Sequence, residues 1–235
     1  MSNLLVVAAE RQEFEGIRRR VSALRPLALP VDYAAEGELR EHRLALVANG
    51  AGPQLAGRAV DAACGGWKVD AVISTGFCGG LDPGLAVGQV IAASEIEARE
   101  SGKRYPAYLP QETASAPARG SILSMDRVAV SVEEKKALRA TGAAAVEMEA
   151  AGVAERARCH GIPFYCIRVV SDAAGESMPL DFNLYRTAEG RFKRGAIARA
   201  ALAKPFRIPG LLRLRRQARI ASMRLGEFFG DCRIF

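Results

Sequence analysis

Two glutamates flanking a methionine are the part of the sequence most suggestive of chemistry. Glu147 and Glu149 bracket Met148 in the stretch AVEMEA, where an alanine-rich segment of helical composition begins. Carboxylates accept hydrogen bonds from hydroxyl groups, and a thioether offers a polarizable apolar surface. The pattern favours a pocket that holds hydroxyl groups beside an apolar group. On spacing alone, acidic residues stabilised by the dipole of a helix N-terminus explain it at least as well.

Polar residues also follow several apolar runs that have the composition of strands. The runs occupy residues 3–10, 43–53, 69–84 and 162–175. At or just past the predicted strand ends stand Glu13, Asn49-Gly50, Thr75-Gly76 and Ser171-Asp172. Because ligands bind beyond the carboxyl ends of the strands in parallel sheets, we expect these residues to line one cleft. Taken alone, Asp172 is equally well explained as a helix N-cap.

The order of elements predicts the fold class. Helical segments at 11–21, 133–142 and 150–160 alternate with the apolar runs. Continuous apolar strands alternating with helices indicate an α/β fold, with a central mixed, largely parallel twisted sheet flanked by helices. Residues 100–119 have loop or hairpin composition, which is common for an active-site lid.

Composition excludes several classes of protein. With 49% hydrophobic and 25% charged residues, the 235-residue chain is globular. The opening MSNLLVVAAERQEF turns polar too early for a signal peptide, and no apolar run is long enough to span a bilayer. Five cysteines without a C-x-x-C pair, and only two histidines, predict thiols in a reducing cytoplasm rather than disulfides. We expect no metal and no cofactor.

The positive charge is concentrated in a basic C-terminal tail. Residues 191–226 contain 11 Lys and Arg and no acidic residue, whereas residues 1–190 are nearly neutral. We therefore predict a catalytic domain at 1–190 and a basic helical extension at 191–235. Apolar residues recur in the extension at helical spacing: Leu211, Leu214, Ala218, Ala221 and Leu225. A packed terminal helix and an anionic-membrane contact both explain this pattern; nucleic-acid binding is disfavoured, since the basic residues lack interleaved aromatics.

Three stretches resemble the nucleoside phosphorylase/nucleosidase superfamily. They are the opening strand with Glu13, STGFCGGLDPGLAVGQVI (74–91) and AVEMEAAGVAERARCHGIPFYCIRVVSDAA (145–174). The bacterial methylthioadenosine/S-adenosylhomocysteine nucleosidases are similar to this pattern, which covers residues 1 to about 185. The basic tail further resembles the hopanoid-associated branch, whose members process an adenosine-linked lipid.

This resemblance implies cleavage of the N-glycosidic bond between ribose and a base, on a mixed sheet flanked by helices. It assigns ribose binding to Glu149, with Met148 beneath the sugar and Glu147 in support. Asp172, after Ser171, would protonate or hydrogen-bond the departing purine. Glu13 would position the attacking water, with Glu10 and Glu15 as alternatives one turn away.

The resemblance also places the base. Thr75, Gly76 and Phe77 are expected to contact the substrate. Val128 stands where nucleosidases usually carry an aromatic residue that stacks on the purine. Stacking must then be weaker, or come from Phe77, Phe164 or Tyr165.

Glu13 also bears on the nucleophile. Phosphorylases of the superfamily tend to carry an arginine near this position to hold phosphate, so the carboxylate favours water. Arg11 and Arg18 keep a phosphorylase, with phosphate as co-substrate, as the alternative. The predicted substrate is an adenosine derivative, with adenosylhopane preferred over methylthioadenosine and S-adenosylhomocysteine. A homodimer, and attachment to the inner membrane surface from the cytoplasm, are further expectations.

Overall fold

The computed structural model describes residues 1–111, 116–187 and 189–231. Its strands are β1 Ser2–Ala8, β2 Ser22–Pro26, β3 Tyr33–Leu39, β4 His42–Ala48, β5 Ala71–Gly80, β6 Val90–Ala98, β7 Arg104–Pro106, β8 Ala118–Ser124, β9 Ala145–Glu147 and β10 Phe164–Asp172. Its helices are α1 Glu15–Arg18, α2 Pro53–Gly66, α3 Val132–Arg139, α4 Ala150–Cys159, α5 Arg194–Ala203 and α6 Ile208–Asp231. Short 3₁₀ turns lie at Arg11–Phe14, Phe182–Tyr185 and Pro205–Arg207.

The strands form one mixed sheet. Its order is β10-β6-β8-β9-β5-β1-β4-β3-β2, with β7 paired to β6. Strands β4, β1, β5 and β10 run parallel, whereas β2 and β3 extend the edge in antiparallel fashion. Because β10 pairs with both β5 and β6, one side of the sheet closes into a barrel-like ring. The predicted α/β class is confirmed.

Both faces of the sheet are covered. In β1, Leu5 and Val7 pack on one face with residues of α2 and α4, whereas Leu4 and Val6 pack on the other with α1 and α6. Burial on both faces explains why the central strands are continuous apolar runs rather than alternating ones.

The tail helix α6 is part of this second layer. A Cβ atom at Gly16 would lie 2.0 Å from the carbonyl oxygen of Ser222, so α1 and α6 are in backbone contact. Ala221 and Leu225, from the predicted apolar seam, are fully buried in the core. The C-terminal half of the predicted seam therefore packs the terminal helix against the core, as the packed-helix interpretation expects for these two residues. The predicted domain boundary falls just before α5, and two separate domains stay a prediction.

Several predicted boundaries were wrong. The strand expected to end at Thr75-Gly76 continues to Gly80, because β10 and β9 pair with it as far as Gly79 and Gly80. The helix expected at 11–21 is split into a 3₁₀ turn and the single turn of α1. Strands β2, β3, β8 and β9 were not predicted; β2 is an exposed edge strand with little apolar content.

Other expectations concern loops and termini. Within the predicted loop 100–119, residues 104–106 form β7, and residues 112–115 lie outside the described part of the chain. Cys64, Cys78, Cys159 and Cys166 are free thiols, and Cys232 lies outside the described residues. No helix among the residues described is long and apolar enough to cross a membrane.

Candidate active site

A cavity of about 820 Å³ lies at the carboxyl ends of β1, β5 and β10. Of the predicted site residues, its walls include Glu13, Phe77, Val128, Glu147, Met148, Glu149, Ser171 and Asp172. Glu149 and Asp172 therefore face one cavity. These residues come from five separate stretches of the sequence and meet only in the folded chain.

Glu149 stands at the N-terminus of α4 and is buried. Its Oε1 accepts a hydrogen bond from the backbone N–H of Gly52 (3.1 Å), and its Oε2 accepts one from Arg168 Nη1 (3.2 Å). Gly52 adopts φ 105°, a conformation that favours glycine, as it presents this N–H. The carboxylate is thus held from two sides at the cavity wall.

Glu147 braces the turn that carries Glu149. Its carboxylate accepts the backbone N–H groups of Glu149 and Ala150, both at 2.9 Å. These are among the N–H groups at the start of α4 that have no partner within the helix. Glu147 also pairs with Arg168. Its role in supporting a bound ribose stays a prediction.

Arg168 is a site residue that the sequence analysis missed. It lies on β10, is fully buried, and donates from Nη2 to Ser74 Oγ at 2.7 Å. The signal was present: an arginine inside the apolar strand FYCIRVVSD must be paired with acidic groups if the strand is buried. Its guanidinium pairs with Glu147 and Glu149.

Three buried glutamates, Glu13, Glu147 and Glu149, interact with the guanidinium of Arg168, so their carboxylates carry more negative charge than this one cation can balance. Burial raises the pKa of Glu149 to about 8; Arg168 opposes this rise, and the charges of Glu147 and Glu13 add to it. Burial likewise raises the pKa of Glu13. Although burial would lower the pKa of Arg168, the surrounding carboxylates, Glu147 foremost, raise it. The wall is suited to receive hydroxyl donors and developing positive charge.

Glu13 is fixed in the 3₁₀ turn after β1. Its Oε1 accepts the backbone N–H of Phe77 and its Oε2 that of Glu10, both at 2.8 Å. A Cβ atom at position 76 would lie 2.4 Å from Glu13 Oε1, so Gly76 makes room for this carboxylate. Gly76 and Thr75 lie behind the wall and do not line the cavity; the Thr75 hydroxyl donates to the carbonyl of Ile167 at 2.8 Å.

Asp172 ends β10 at a register shift of the sheet. The Ser171 hydroxyl donates to its Oδ1 at 2.6 Å. Lys135, which the sequence analysis did not identify, donates from Nζ to its Oδ2 at 2.5 Å. Asp172 is 4% exposed, so this carboxyl group is screened from bulk water as a general acid requires.

The aromatic side chains at the cavity differ from those expected. Phe77 lines the cavity, whereas Phe164 and Tyr165 are buried at the start of β10 and do not. Val128 lines the wall, where its backbone N–H and carbonyl both bond to the side chain of Asn183 (2.9 and 3.0 Å). Phe77 is thus the one of the three candidates positioned to contact a base.

The outer part of the cavity combines apolar side chains with arginines and is built largely by the tail. Its apolar side chains are those of Met178, Phe182, Phe192, Ile197, Leu211, Leu214 and Ala218. Three members of the predicted seam, Leu211, Leu214 and Ala218, thus face the cavity instead of the core. Arg194, Arg215 and Arg219 also line this outer region. Among the described residues, no cluster of three or more His, Cys, Asp or Glu side chains could hold a metal ion.

The family of the chain follows from comparison with known proteins. A family model, the phosphorylase superfamily, matches residues 5–203. The chain belongs to the phosphorylase superfamily, and its prediction as an enzyme of N-glycosidic bond cleavage is confirmed.

Individual relatives narrow the comparison. A 5′-methylthioadenosine/S-adenosylhomocysteine nucleosidase of Tolumonas auensis is 27% identical over 207 residues, which is 77% of this chain and 90% of the relative. The same type of enzyme from Neisseria meningitidis, solved in complex with methylthio-immucillin-A, has a TM-score of 0.71 at 24% identity, covering 98% and 99% of the two chains. A futalosine hydrolase mutant of Helicobacter pylori has a TM-score of 0.69 at 17% identity, covering 97% and 98%. The structural likeness establishes the shared fold.

The raised pKa of Glu149 predicts a pH-dependent contribution to stability. Between its ordinary pKa of 4.5 and about 8, the carboxyl keeps its proton when folded and loses it when unfolded. The stabilisation is present below pH 4.5 and is lost as the pH rises toward 8, by up to about 1.4 kcal/mol per pH unit. Urea unfolding across this range should show a shallower decline for Glu149→Gln. Parallel declines in the two proteins would contradict the raised pKa.

Proposed function

We propose that this enzyme hydrolyses the N-glycosidic bond of an adenosine derivative with a bulky apolar 5′ substituent, and releases adenine. The observation that carries the proposal is one cavity with Asp172, Glu13 and Glu149 in its inner part and a group of apolar side chains in its outer part. The names of the similar relatives support a nucleosidase.

The proposed reaction assigns one role to each carboxyl group. As the bond between C1′ and N9 breaks, its electrons pass to the purine, and the Asp172 carboxyl gives its proton to N7. Glu149 accepts hydrogen bonds from the ribose hydroxyls, and its ionised form stabilises the cationic sugar as it forms, an interaction that strengthens in the transition state. Because burial raises the pKa of Glu149 to about 8, the ionised form becomes more abundant as the pH rises toward that value. A water held by Glu13 adds to C1′, and its proton passes to the Glu13 carboxylate.

Water is preferred over phosphate as the nucleophile. The two arginines that kept phosphorolysis open lie against the ring of Tyr33, with guanidinium carbons 5.3 Å (Arg11) and 5.9 Å (Arg18) from its centroid, and neither lines the cavity. The buried Arg168 is already paired with carboxylates. Glu13 would repel an anion at the place where the nucleophile must stand.

The alternative activity is that of a phosphate-dependent purine nucleoside phosphorylase. The products of the reaction distinguish it from hydrolysis. Purified protein should release adenine and the free sugar in phosphate-free buffer, at a rate that added phosphate leaves unchanged. Strict dependence on phosphate, with the sugar 1-phosphate as product, would replace hydrolysis by phosphorolysis.

The outer walls support an apolar 5′ substituent. Cavities of about 300–1,000 Å³ hold drug-sized ligands, and this cavity lies at the large end of that range. Adenosylhopane, with a large hydrocarbon attached to adenosine, is the specific substrate that we propose. Smaller candidates are methylthioadenosine and S-adenosylhomocysteine, the second of which carries charges on its 5′ chain.

Lengthening an apolar 5′ chain should therefore raise kcat/KM. In a series of 5′-alkylthioadenosines, each added methylene that becomes buried contributes about 0.8 kcal/mol, roughly a fourfold gain. Leu214→Asn places a polar group in the outer wall and should flatten the series, with methylthioadenosine turnover retained. A wild-type series that is flat from methyl to hexyl would contradict an apolar substituent.

We further propose that the enzyme attaches peripherally to an anionic membrane through the α5–α6 corner, residues 199–216. Leu202, Phe206 and Leu212 are 75%, 75% and 60% exposed there. Exposed basic residues surround them: Arg199, Lys204, Arg213 and Arg216. Apolar side chains ringed by cations match a surface of anionic lipid, where each cation contributes about 1 kcal/mol. The cavity's outer wall includes residues of the same helices, so a lipid-linked substrate would have a short path from the membrane to the cavity.

A homodimer stays a prediction.

Replacing the exposed apolar residues tests this attachment without disturbing the core. The triple variant Leu202→Ser, Phe206→Ser, Leu212→Ser should co-sediment with phosphatidylglycerol vesicles at least about tenfold less than wild type, since burying even one such side chain contributes 1.5–3 kcal/mol. Leu184→Ser, equally exposed but outside the corner, is the matched control. Deleting the tail would be uninformative, because Ala221 and Leu225 belong to the core. Unchanged sedimentation of the triple variant, or none by wild type, would refute attachment here.

A further inference from the structure

A buried lysine stands beside the proposed general acid. Lys135 is 1% exposed, although its neighbours on α3, Glu133 and Lys136, are exposed to solvent. Its Nζ lies 2.5 Å from Asp172 Oδ2 and 2.8 Å from the carbonyl oxygen of Ala173. Removing an ammonium group from water carries a large desolvation cost, so a lysine on a short polar helix would ordinarily extend into solvent. This one instead lines the inner part of the cavity.

We propose that Lys135 is a positioning residue that determines which oxygen of Asp172 carries the transferable proton. An ammonium group has three donor hydrogens and no acceptor. The oxygen that faces it, Oδ2, therefore accepts a hydrogen bond from the cation. Because protonation would make Oδ2 a weaker acceptor and bring a proton toward the positive charge, the acidic proton is disfavoured on this oxygen. In neutral Asp172 the proton lies on Oδ1. The inference rests on the proposed nucleoside hydrolysis, in which Asp172 protonates the purine.

The surrounding residues leave Oδ1 able to carry this proton. The Ser171 hydroxyl lies 2.6 Å from Oδ1 and 3.3 Å from the carbonyl oxygen of Cys78. When Oδ1 is protonated, the hydroxyl can donate to Cys78 and no longer competes for Oδ1. The Asp172 carboxyl thus has one oxygen fixed by a cation and one free to exchange a proton.

The pair is held by three elements. The Ser131 side chain caps α3 by accepting the N–H of Glu134 (3.1 Å), and Leu138 anchors the helix in the core. On β5, a Cβ atom at Gly79 would lie 3.1 Å from Asp172 Oδ2 and 3.6 Å from Lys135 Cε. Glycine at this position leaves the space that the ion pair occupies. Packing on α3, β5 and β10 therefore limits the movement of the two groups.

Lys135 keeps its own protons throughout the reaction. As the C1′–N9 bond breaks, the proton on Oδ1 moves to the purine and Asp172 becomes a carboxylate. The ammonium group of Lys135 stabilises that new negative charge. Asp172 takes up a proton from water before the next turnover. Lys135 thus acts only on departure of the leaving group. Its replacement should therefore lower kcat only for substrates whose leaving group must be protonated.

Two substrates that share one sugar and differ in leaving group test this role. Adenine must be protonated to depart, whereas p-nitrophenolate departs as a stable anion. Lys135→Met should lower kcat for the adenine compound by about 10²-fold, the lower end of what proton donation contributes. Turnover of the nitrophenyl compound should stay near wild type. Lys136→Met, on the exposed side of the same helix, should change neither.

A merely structural role gives a different result. Equal losses on both leaving groups, or no loss on adenine, would overturn the proposal. In an Asp172→Asn background, Lys135→Met should cause no further loss on adenine, and additive losses would also overturn it. If the methionine variant does not fold, Lys135→Arg is measured instead. Arginine retains the positive charge but moves it away from Asp172 Oδ2. The same comparison of kcat on the adenine and nitrophenyl compounds then tests the proposal. Wild-type protein that releases neither leaving group would refute the proposed function itself.

Discussion

Asp172→Asn should lower kcat for adenine release by about 10²–10⁴-fold, the range that a positioned proton donor contributes. Asparagine has nearly the same shape, and its carbonyl oxygen still accepts the hydrogen bond from Lys135 Nζ that Asp172 Oδ2 accepts. It has no acidic proton to give to the purine. Because the sugar-binding residues are unchanged, KM should change much less than kcat.

A matched variant on the surface provides the control for that measurement. Asp126→Asn alters a half-exposed carboxylate that does not line the cavity, and it should leave kcat near wild type. If Asp172→Asn kept more than about a tenth of wild-type kcat, the loss would be smaller than the contribution of a general acid. Asp172 would then not have that role.

Glu149→Gln should lower kcat/KM by about 10²–10³-fold, the loss typical when one preorganised electrostatic contact to the transition state is removed. The neutral amide still hydrogen-bonds to ribose hydroxyls but, unlike the ionised carboxylate that forms as the pH rises toward 8, it cannot offset the positive charge on the sugar. The loss should therefore appear in kcat as well as in KM. Steady-state rates on an alkylthioadenosine measure both quantities.

Glu147→Gln is the informative comparison, because its effect should appear in stability. Glu147 is fully buried, braces two backbone N–H groups and neutralises Arg168. Removing one partner of a buried ion pair costs about 3–5 kcal/mol, so the variant should unfold at lower urea concentration. Its folded fraction should lose far less turnover than Glu149→Gln. Similar small losses of turnover in both variants would remove Glu149 from the sugar site.

Much of the site was predictable because its members stand in local sequence patterns. The strand that ends at Ser171-Asp172 and the helix that begins at Glu149 are short-range features, visible in apolar runs and in helix-end signals. Parallel strands place their carboxyl ends at one edge, which is why Glu13 and Asp172 could be expected to face one cavity. The resemblance of residues 145–174 to a known family then assigned their roles.

Other parts depended on contacts between residues far apart in the chain. Arg168 meets Glu147 and Glu149 from a different strand, and Lys135 reaches Asp172 across 37 positions of sequence. Strand β2 has no apolar periodicity and exists because it pairs with β3. Such features are stabilised by partners that a local window of sequence does not contain.

The basic tail shows most clearly which features the sequence determined and which depended on the tertiary structure. By itself the sequence determined that residues 209–225 could form an amphipathic helix, since an apolar seam at spacings of three and four follows from helical geometry. Only the tertiary structure decided that Ala221 and Leu225 enter the core whereas Leu211, Leu214 and Ala218 line the cavity. Periodicity fixes which side of a helix is apolar, but what that side contacts depends on where the close approach of Gly16 and Ser222 sets the helix against the sheet.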